Sequence, residues 1–142
     1  MTPKERAEKA AAVMWSNDRA SAWVGMRLDA VDEGTATMSL VIEEHHTNGH
    51  GTCHGGVIFT LADSAFAFAC NSRNLSTVAQ HTSISFLAPG QLGDCLIATA
   101  REVSLAGRSG LYDVTVARAD GTQIAEFRGM SRQVRGTHFD ED

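Results

Sequence analysis

Asp63 is the one formally charged side chain between Gly55 and Ser72. Around it stand Val57, Ile58, Phe59, Leu61, Phe66 and Phe68, and the nearest basic residue in sequence is Arg73. An ionised carboxylate in apolar surroundings is costly unless paired or hydrogen-bonded. Such a group either receives hydrogen bonds from a neighbouring loop, lies at a wet subunit interface, or serves as a general base or nucleophile in a partly dry cleft, and the last reading is the one carried forward. Just ahead of it runs Asn48-Gly49-His50-Gly51-Thr52-Cys53-His54-Gly55-Gly56. If Gly55 opens a helix, its first N–H groups lack internal partners and carry the positive end of the dipole. Gly55 and Gly56 have no Cβ, so a ligand can approach the backbone closely. A carbonyl oxygen gaining negative charge there is stabilised as in an oxyanion hole. Asp63 lies eight residues beyond Gly55, about 12 Å along a helix. The two serve one site only if an extended substrate spans the gap or a second chain closes it. A symmetric pair with antiparallel helices would set Gly55 of one copy opposite Asp63 of the other.

Other chemistries fit the same loop less well. His46, His50 and His54 are spaced by four, yet glycines at 49, 51, 55 and 56 break any continuous helix that would align the imidazoles, so no metal is expected. Cys53 and His54 are adjacent, which points their side chains apart and leaves no orienting third group for a Cys–His nucleophile. The glycine-rich run lacks the Lys-Ser/Thr ending of a phosphate loop.

These residues need a scaffold. Pro3 to Asn17 reads as a helix, with Pro3 in its first turn and Ala7, Ala11, Met14 and Trp15 at helical spacing. Residues 26–42 read as a β-hairpin turning at Asp32-Glu33-Gly34, and Ala36, Met38, Leu40 and Ile42 share one face. Residues 55–72 form a helix with hardly any polar side. Strands follow near 77–87, 94–104, 109–118 and 122–134, with Asp120-Gly121 as a hairpin turn, and are expected to run as a meander. Helices do not alternate with strands, so the class is α+β with an antiparallel sheet. One sheet can wrap only one side of the central helix. A partner subunit is expected to cover the rest.

The chain has 142 residues, the size of one domain, so residues 1–142 are read as a single unit. Twelve basic against seventeen acidic residues give a net charge of −5, which supplies no general attraction for nucleic acid. No apolar stretch is long enough to span a bilayer, so no membrane partner is expected. Three cysteines without motif spacing fit a reducing cytoplasm better than a disulfide-stapled domain.

The loop Asn48 to Gly56, followed by Leu61-Ala62-Asp63 and Ala67-Phe68-Ala69-Cys70-Asn71-Ser72, closely resembles the PaaI-type hotdog thioesterases. These are phenylacetyl-CoA thioesterases of phenylacetate degradation. The likeness runs from about Trp15 to Val134, through Phe86-Leu87-Ala88-Pro89-Gly90 and Phe127-Arg128-Gly129. It implies a hotdog fold, a long helix wrapped by six antiparallel strands with an N-terminal helix alongside. It also implies hydrolysis of acyl-CoA, specifically phenylacetyl-CoA or its ring-hydroxylated forms, with no metal or organic cofactor. Asp63 matches the residue that activates water or attacks the thioester. Gly55 matches the backbone donor to its carbonyl, with Gly56 beside it. Asn48 matches the side chain holding water or thioester, and His54 the residue supporting the loop. The family site forms across a homodimer, and two dimers make a homotetramer.

The chain departs from the pattern in places. Ala88 and Met130 stand where many relatives carry basic residues, so Arg108 and Arg128 become the candidates for CoA phosphates. Where some relatives have a water-positioning hydroxyl, this chain has Ala79, with Thr77 as the nearby substrate-binding candidate. Phe59, Phe66, Phe68 and Trp23 are candidate acyl-pocket aromatics. A hotdog hydratase is the competing enzyme, but it needs an Asp–His pair, and no histidine lies in helical register with Asp63. A thioesterase of a different acyl-CoA, such as a benzoyl or medium-chain one, and a non-catalytic acyl-CoA-binding module are the remaining readings.

Overall fold

The computed structural model describes residues 1–141. Helix α1 (Pro3–Asn17) opens with a reciprocal cap, in which the Thr2 hydroxyl accepts from the Glu5 N–H and the Glu5 carboxylate accepts from the Thr2 N–H. It buries Ala7, Ala10 and Ala11. A short helix α2 (Arg19–Val24) follows and ends on Gly25 at φ +94°. Composition did not suggest it, although an Asp18 cap and a Gly25 stop bracket it.

Strands β1 (Arg27–Asp32) and β2 (Thr35–Val41) form the expected hairpin. A single 3-10 turn, Glu44–His46, interrupts the loop leading to α3 (Gly55–Cys70). Then come β3 (Thr77–Phe86), β4 (Cys95–Ala106), β5 (Ser109–Arg118) and β6 (Gln123–Gln133). All pair antiparallel in one sheet of order β1-β2-β4-β5-β6-β3. The fold class is α+β, as expected.

The meander expectation fails at β3. That strand pairs with β6 at the far edge, while β4 pairs with β2. Period-2 alternation tells which face a side chain takes, not which strand lies beside it. The β3–β4 connection, Leu87 to Asp94, is also too long for a tight hairpin.

Helix α3 lies in the concave face of the sheet and touches every strand. Leu61, Ala62, Ala65, Phe66, Phe68 and Ala69 are buried on it. The Phe66 ring meets Tyr112 and Phe127 edge-on or tilted, with centroids 5.6 and 5.7 Å away. Gly129 makes that approach possible, because a Cβ there would sit 2.8 Å from the Phe66 ring. The helix is not covered all round. Gly56, Phe59, Thr60, Asp63 and Ala67 stay partly open. Edge strand β3 is likewise exposed at Val78 and Phe86.

The end of α3 is clamped by its own sequence. The Asn71 side chain donates to the Ala67 and Thr77 carbonyls, at 2.8 and 3.0 Å, and accepts from the Thr77 N–H and His138 Nε2. The Ser72 hydroxyl accepts from the Gly34 N–H, at 2.8 Å. Arg73 reaches Glu102, which also accepts from the Tyr112 hydroxyl. No helix among the described residues is long and apolar enough to cross a membrane.

Candidate active site

The loop before α3 is held by its own polar groups. Asn48 Oδ1 accepts from the N–H groups of His50 and Thr52, at 2.9 and 3.2 Å. Its Nδ2 donates to no described group. His54 is the N-cap of α3, and its Nδ1 accepts from the Gly56 N–H at 2.8 Å. The Nδ1 lone pair is therefore engaged, and in the neutral ring the proton lies on Nε2. The Val57 and Ile58 amides both donate to the His54 carbonyl. The Gly55 N–H alone in that first turn has no described partner. It is a donor at the positive end of a 16-residue helix, ready for a ligand oxygen.

Gly55 opens onto a cleft of about 340 Å³ lined by Cys53, Ile58, Phe86, Leu87, Ala88 and Pro89. The Phe86 ring lies against it, 3.1 Å from where a Cβ on Gly55 would be. Sequence reasoning missed Phe86 as a wall because β3 was placed beside the wrong strand. A wider hollow of about 760 Å³ lies between α1 and β1 and includes neither Gly55 nor Asp63.

Asp63 sits on the open stripe of α3 and makes no hydrogen bond or ion pair among the described residues. Burial pushes its carboxyl above the usual range, and the negative charge of Asp18 adds to the rise. Such a carboxylate is a stronger base than an exposed aspartate. Asp63 does not line the Gly55 cleft of the same chain.

The remaining candidates lie apart. Thr77 is at the far end of α3, with its N–H on Asn71 and its hydroxyl on the Leu75 carbonyl. Arg108 is in the β4–β5 turn and lines a hollow of about 570 Å³ with Arg135. Arg128 faces outward on β6 and is already paired with Asp113, at 2.7 and 2.9 Å. Phe66 and Phe68 are core residues, Phe59 packs on Phe127, and Trp23 is 85% exposed.

The histidine and cysteine alternatives weaken further. Glu43, His45 and His46 do cluster, but His46 Nδ1 accepts from the Glu43 N–H and its Nε2 meets the Val24 carbonyl at 2.6 Å. Both of its ring nitrogens are committed to the fold. The Cys53 thiol is buried and pushed up to about 11, so it stays protonated near neutrality.

Comparison with known proteins gives the family. Residues 50–125 match the thioesterase superfamily. The chain is 40% identical to the acyl-coenzyme A thioesterase PaaI of Escherichia coli, over 87% of this chain and 89% of that one. The structure of that E. coli protein, from the phenylacetic acid degradation operon, superposes with a TM-score of 0.94, at 38% identity, covering 96% of this chain and 99% of that one. A Streptococcus mutans protein solved bound to acetyl CoA matches at a TM-score of 0.76 and 26% identity, covering 80% and 90% of the two chains. With an unpartnered helix-start amide, a single helical carboxylate and these relatives, the chain belongs to the thioesterase superfamily, among the PaaI-type hotdog thioester hydrolases.

Proposed function

We propose that this protein hydrolyses phenylacetyl-CoA or a ring-hydroxylated phenylacetyl-CoA to the free acid and CoA. The observation that carries the chemistry is the Gly55 N–H, unpartnered at the start of a helix whose only charge is Asp63. The thioester carbonyl oxygen accepts from Gly55. Asp63 takes a proton from water as the hydroxide attacks the carbonyl carbon. The tetrahedral intermediate collapses, the C–S bond breaks, and the proton passes from Asp63 to the departing CoA sulfur. The intermediate's negative oxygen gains most from the Gly55 dipole, so that donor favours the transition state over the ground state. No metal or organic cofactor takes part in this scheme. The acyl class follows the E. coli relative's operon and the apolar lining of the cleft at Gly55.

The site is shared between two copies of the chain. Asp63 comes from one, and Asn48, His54, Gly55 and Gly56 from the other. The separation of about 12 Å along one helix supports this reading. So do the half-open stripe Gly56, Thr60, Asp63 and Ala67 and the exposed β3 edge. Asn48 Nδ2 is free to hold the water or the thioester, and His54 fixes the amide beside the donor. Two such dimers make a tetramer, with residues 1–142 of each copy working as one unit. Arg108, with Arg135 in the same hollow, is the better candidate for CoA phosphates, because Asp113 already balances Arg128. Thr77 keeps at most a marginal substrate role, since its polar atoms hold the turn into β3. Three free cysteines and a −5 charge suit a cytoplasmic enzyme without nucleic-acid or membrane partners.

An acyl-CoA panel tests the proposal. The highest kcat/KM is expected for phenylacetyl or hydroxyphenylacetyl thioesters, above acetyl and medium-chain ones. Hydration of an enoyl-CoA without hydrolysis of any saturated thioester would overturn it.

A further inference from the structure

A buried pair of hydroxyls joins the start of α2 to Ser64, the residue after Asp63 on α3. Asp18 caps α2, accepting from the Ser21 N–H at 2.9 Å and, through its other oxygen, from the Ser21 hydroxyl at 2.7 Å. The Ser21 hydroxyl in turn meets the Ser64 hydroxyl at 2.8 Å. Ser21 and Ser64 are both buried, and Ser64 is the residue after Asp63 on α3. The carboxylate that caps α2 is thus linked, through two short contacts, to the residue that follows the one carboxylate of α3. The spacing Asp18-x-x-Ser21 gives α2 its cap, but a cap alone does not require the cap's partner to reach a second helix.

Resting on the role proposed for Asp63, we infer that Asp18 is a positioning residue for the reaction. Through Ser21 and Ser64 it holds a fixed negative charge against the turn of α3 that carries Asp63.

Asp18 is the charged group that raises the proton affinity of Asp63 beyond the effect of burial; on β4 and β5, Arg101 pairs with Asp113, and Arg118 with Asp94 and Asp120. Burial is the larger influence on Asp63 and Asp18 the next. Cys70, also on α3, is buried and pushed up to about 12, so it carries no charge near neutrality. Arg73, Glu102 and Tyr112 are closed in their own group at the end of the helix. Strand β2 has no ionisable residue. On β1 the charged Arg27, Asp29 and Asp32 are exposed, and so is His81 on β3. Glu126, Arg128 and Arg132 occupy outward positions of β6, between buried neighbours. Arg19, at the start of α2, is exposed and unpaired among the described residues. Two like charges near each other in a partly dry setting disfavour ionisation of the second, so neutralising Asp18 lowers the proton affinity of Asp63.

The test is the pH dependence of kcat/KM in three variants. Asp18→Asn and Asp18→Ser both retain a capping side chain but lose the charge, and Asp18→Glu retains the charge. The acidic limb is expected to move down by roughly half a pH unit or more in the two neutral variants. It is expected to stay near the parent's position in Asp18→Glu. A purely structural cap would change rate or stability without moving the limb. If Asp18→Asn does not fold, Asp18→Ser decides. A folded neutral variant whose limb overlays the parent's, while Asp63→Asn is inactive, overturns the role of Asp18 alone. An Asp63→Asn protein with the parent's rate overturns this inference together with the site it rests on.

Discussion

Asp63 is where stability and activity pull apart. Burial and Asp18 raise its folded-state proton affinity above that of the unfolded chain. The sign follows. A group with a raised folded pKa favours folding fully below its unfolded pKa, and that contribution is lost as pH rises through the folded value. At neutral pH ionised Asp63 therefore strains the fold. Asp63→Asn is expected to melt at a higher temperature than the parent at pH 7, by differential scanning calorimetry. The same variant should lose 100-fold or more in kcat, about the contribution of a general base. In the parent, kcat/KM should fall on the acid side at a pH above the ordinary aspartate range. As candidates, Asp63 and Gly55 were legible in sequence because residue type and context carried the signal, whereas His54 entered through the family resemblance. One charge in an apolar helix and two glycines at its start are local facts. The Asp18–Ser21–Ser64 chain and the place of Phe86 beside Gly55 were not legible, because both arise only through tertiary approach.

The elements were legible in part as well. Helical spacing located α1 and α3, and alternation located all six strands within a residue or two. The short helix α2 and the place of β3 were not readable. A six-residue helix carries too little periodicity, and strand neighbours depend on connections rather than on pattern. The resemblance to hotdog proteins supplied the wrapping that the pattern could not. Helix α3 and the sheet approach closely at Gly129, where the Phe66 ring occupies the space of a missing Cβ. Gly129→Ala should force that ring aside and cost roughly 1–3 kcal/mol, the usual range for overpacking a filled core. Equilibrium denaturation in urea would measure it. A neutral outcome would mean that the ring moves freely and that the close approach does not position the helix. At the other end, Asn71 and Ser72 turn out to be clamps, which explains their place in the motif without giving them chemistry.

The molecule as a whole looks incomplete as a single chain. Its open helix stripe, its β3 edge and the separation of Asp63 from the Gly55 cleft all ask for a second copy. The sequence carried this in the missing wet face of α3, although the face is half-open rather than apolar throughout. Ala67→Arg places a charge on that stripe at a partly exposed position, so a lone chain should tolerate it. Sedimentation should then show monomer, and thioesterase activity should be lost with it. A fully active monomer would contradict the shared site. The net charge of −5 also bears on substrate binding, since a polyanionic substrate must find its attraction locally, for which Arg108 and Arg135 in one hollow are the proposed place.

Subunit complementation tests the shared site most directly. Asp63→Asn disables the base, and Gly55→Val blocks the donor cleft against Phe86. Each homogeneous protein should be inactive. After the two are mixed and allowed to exchange subunits, each mixed dimer has one intact site, formed by Asp63 of one chain and the Gly55 loop of the other. Activity should then recover to about a quarter of the parent's, the share expected from random pairing of a two-fold dimer. If mixed dimers form and activity stays at the level of the separate variants, Asp63 and Gly55 act within one chain and the account is wrong.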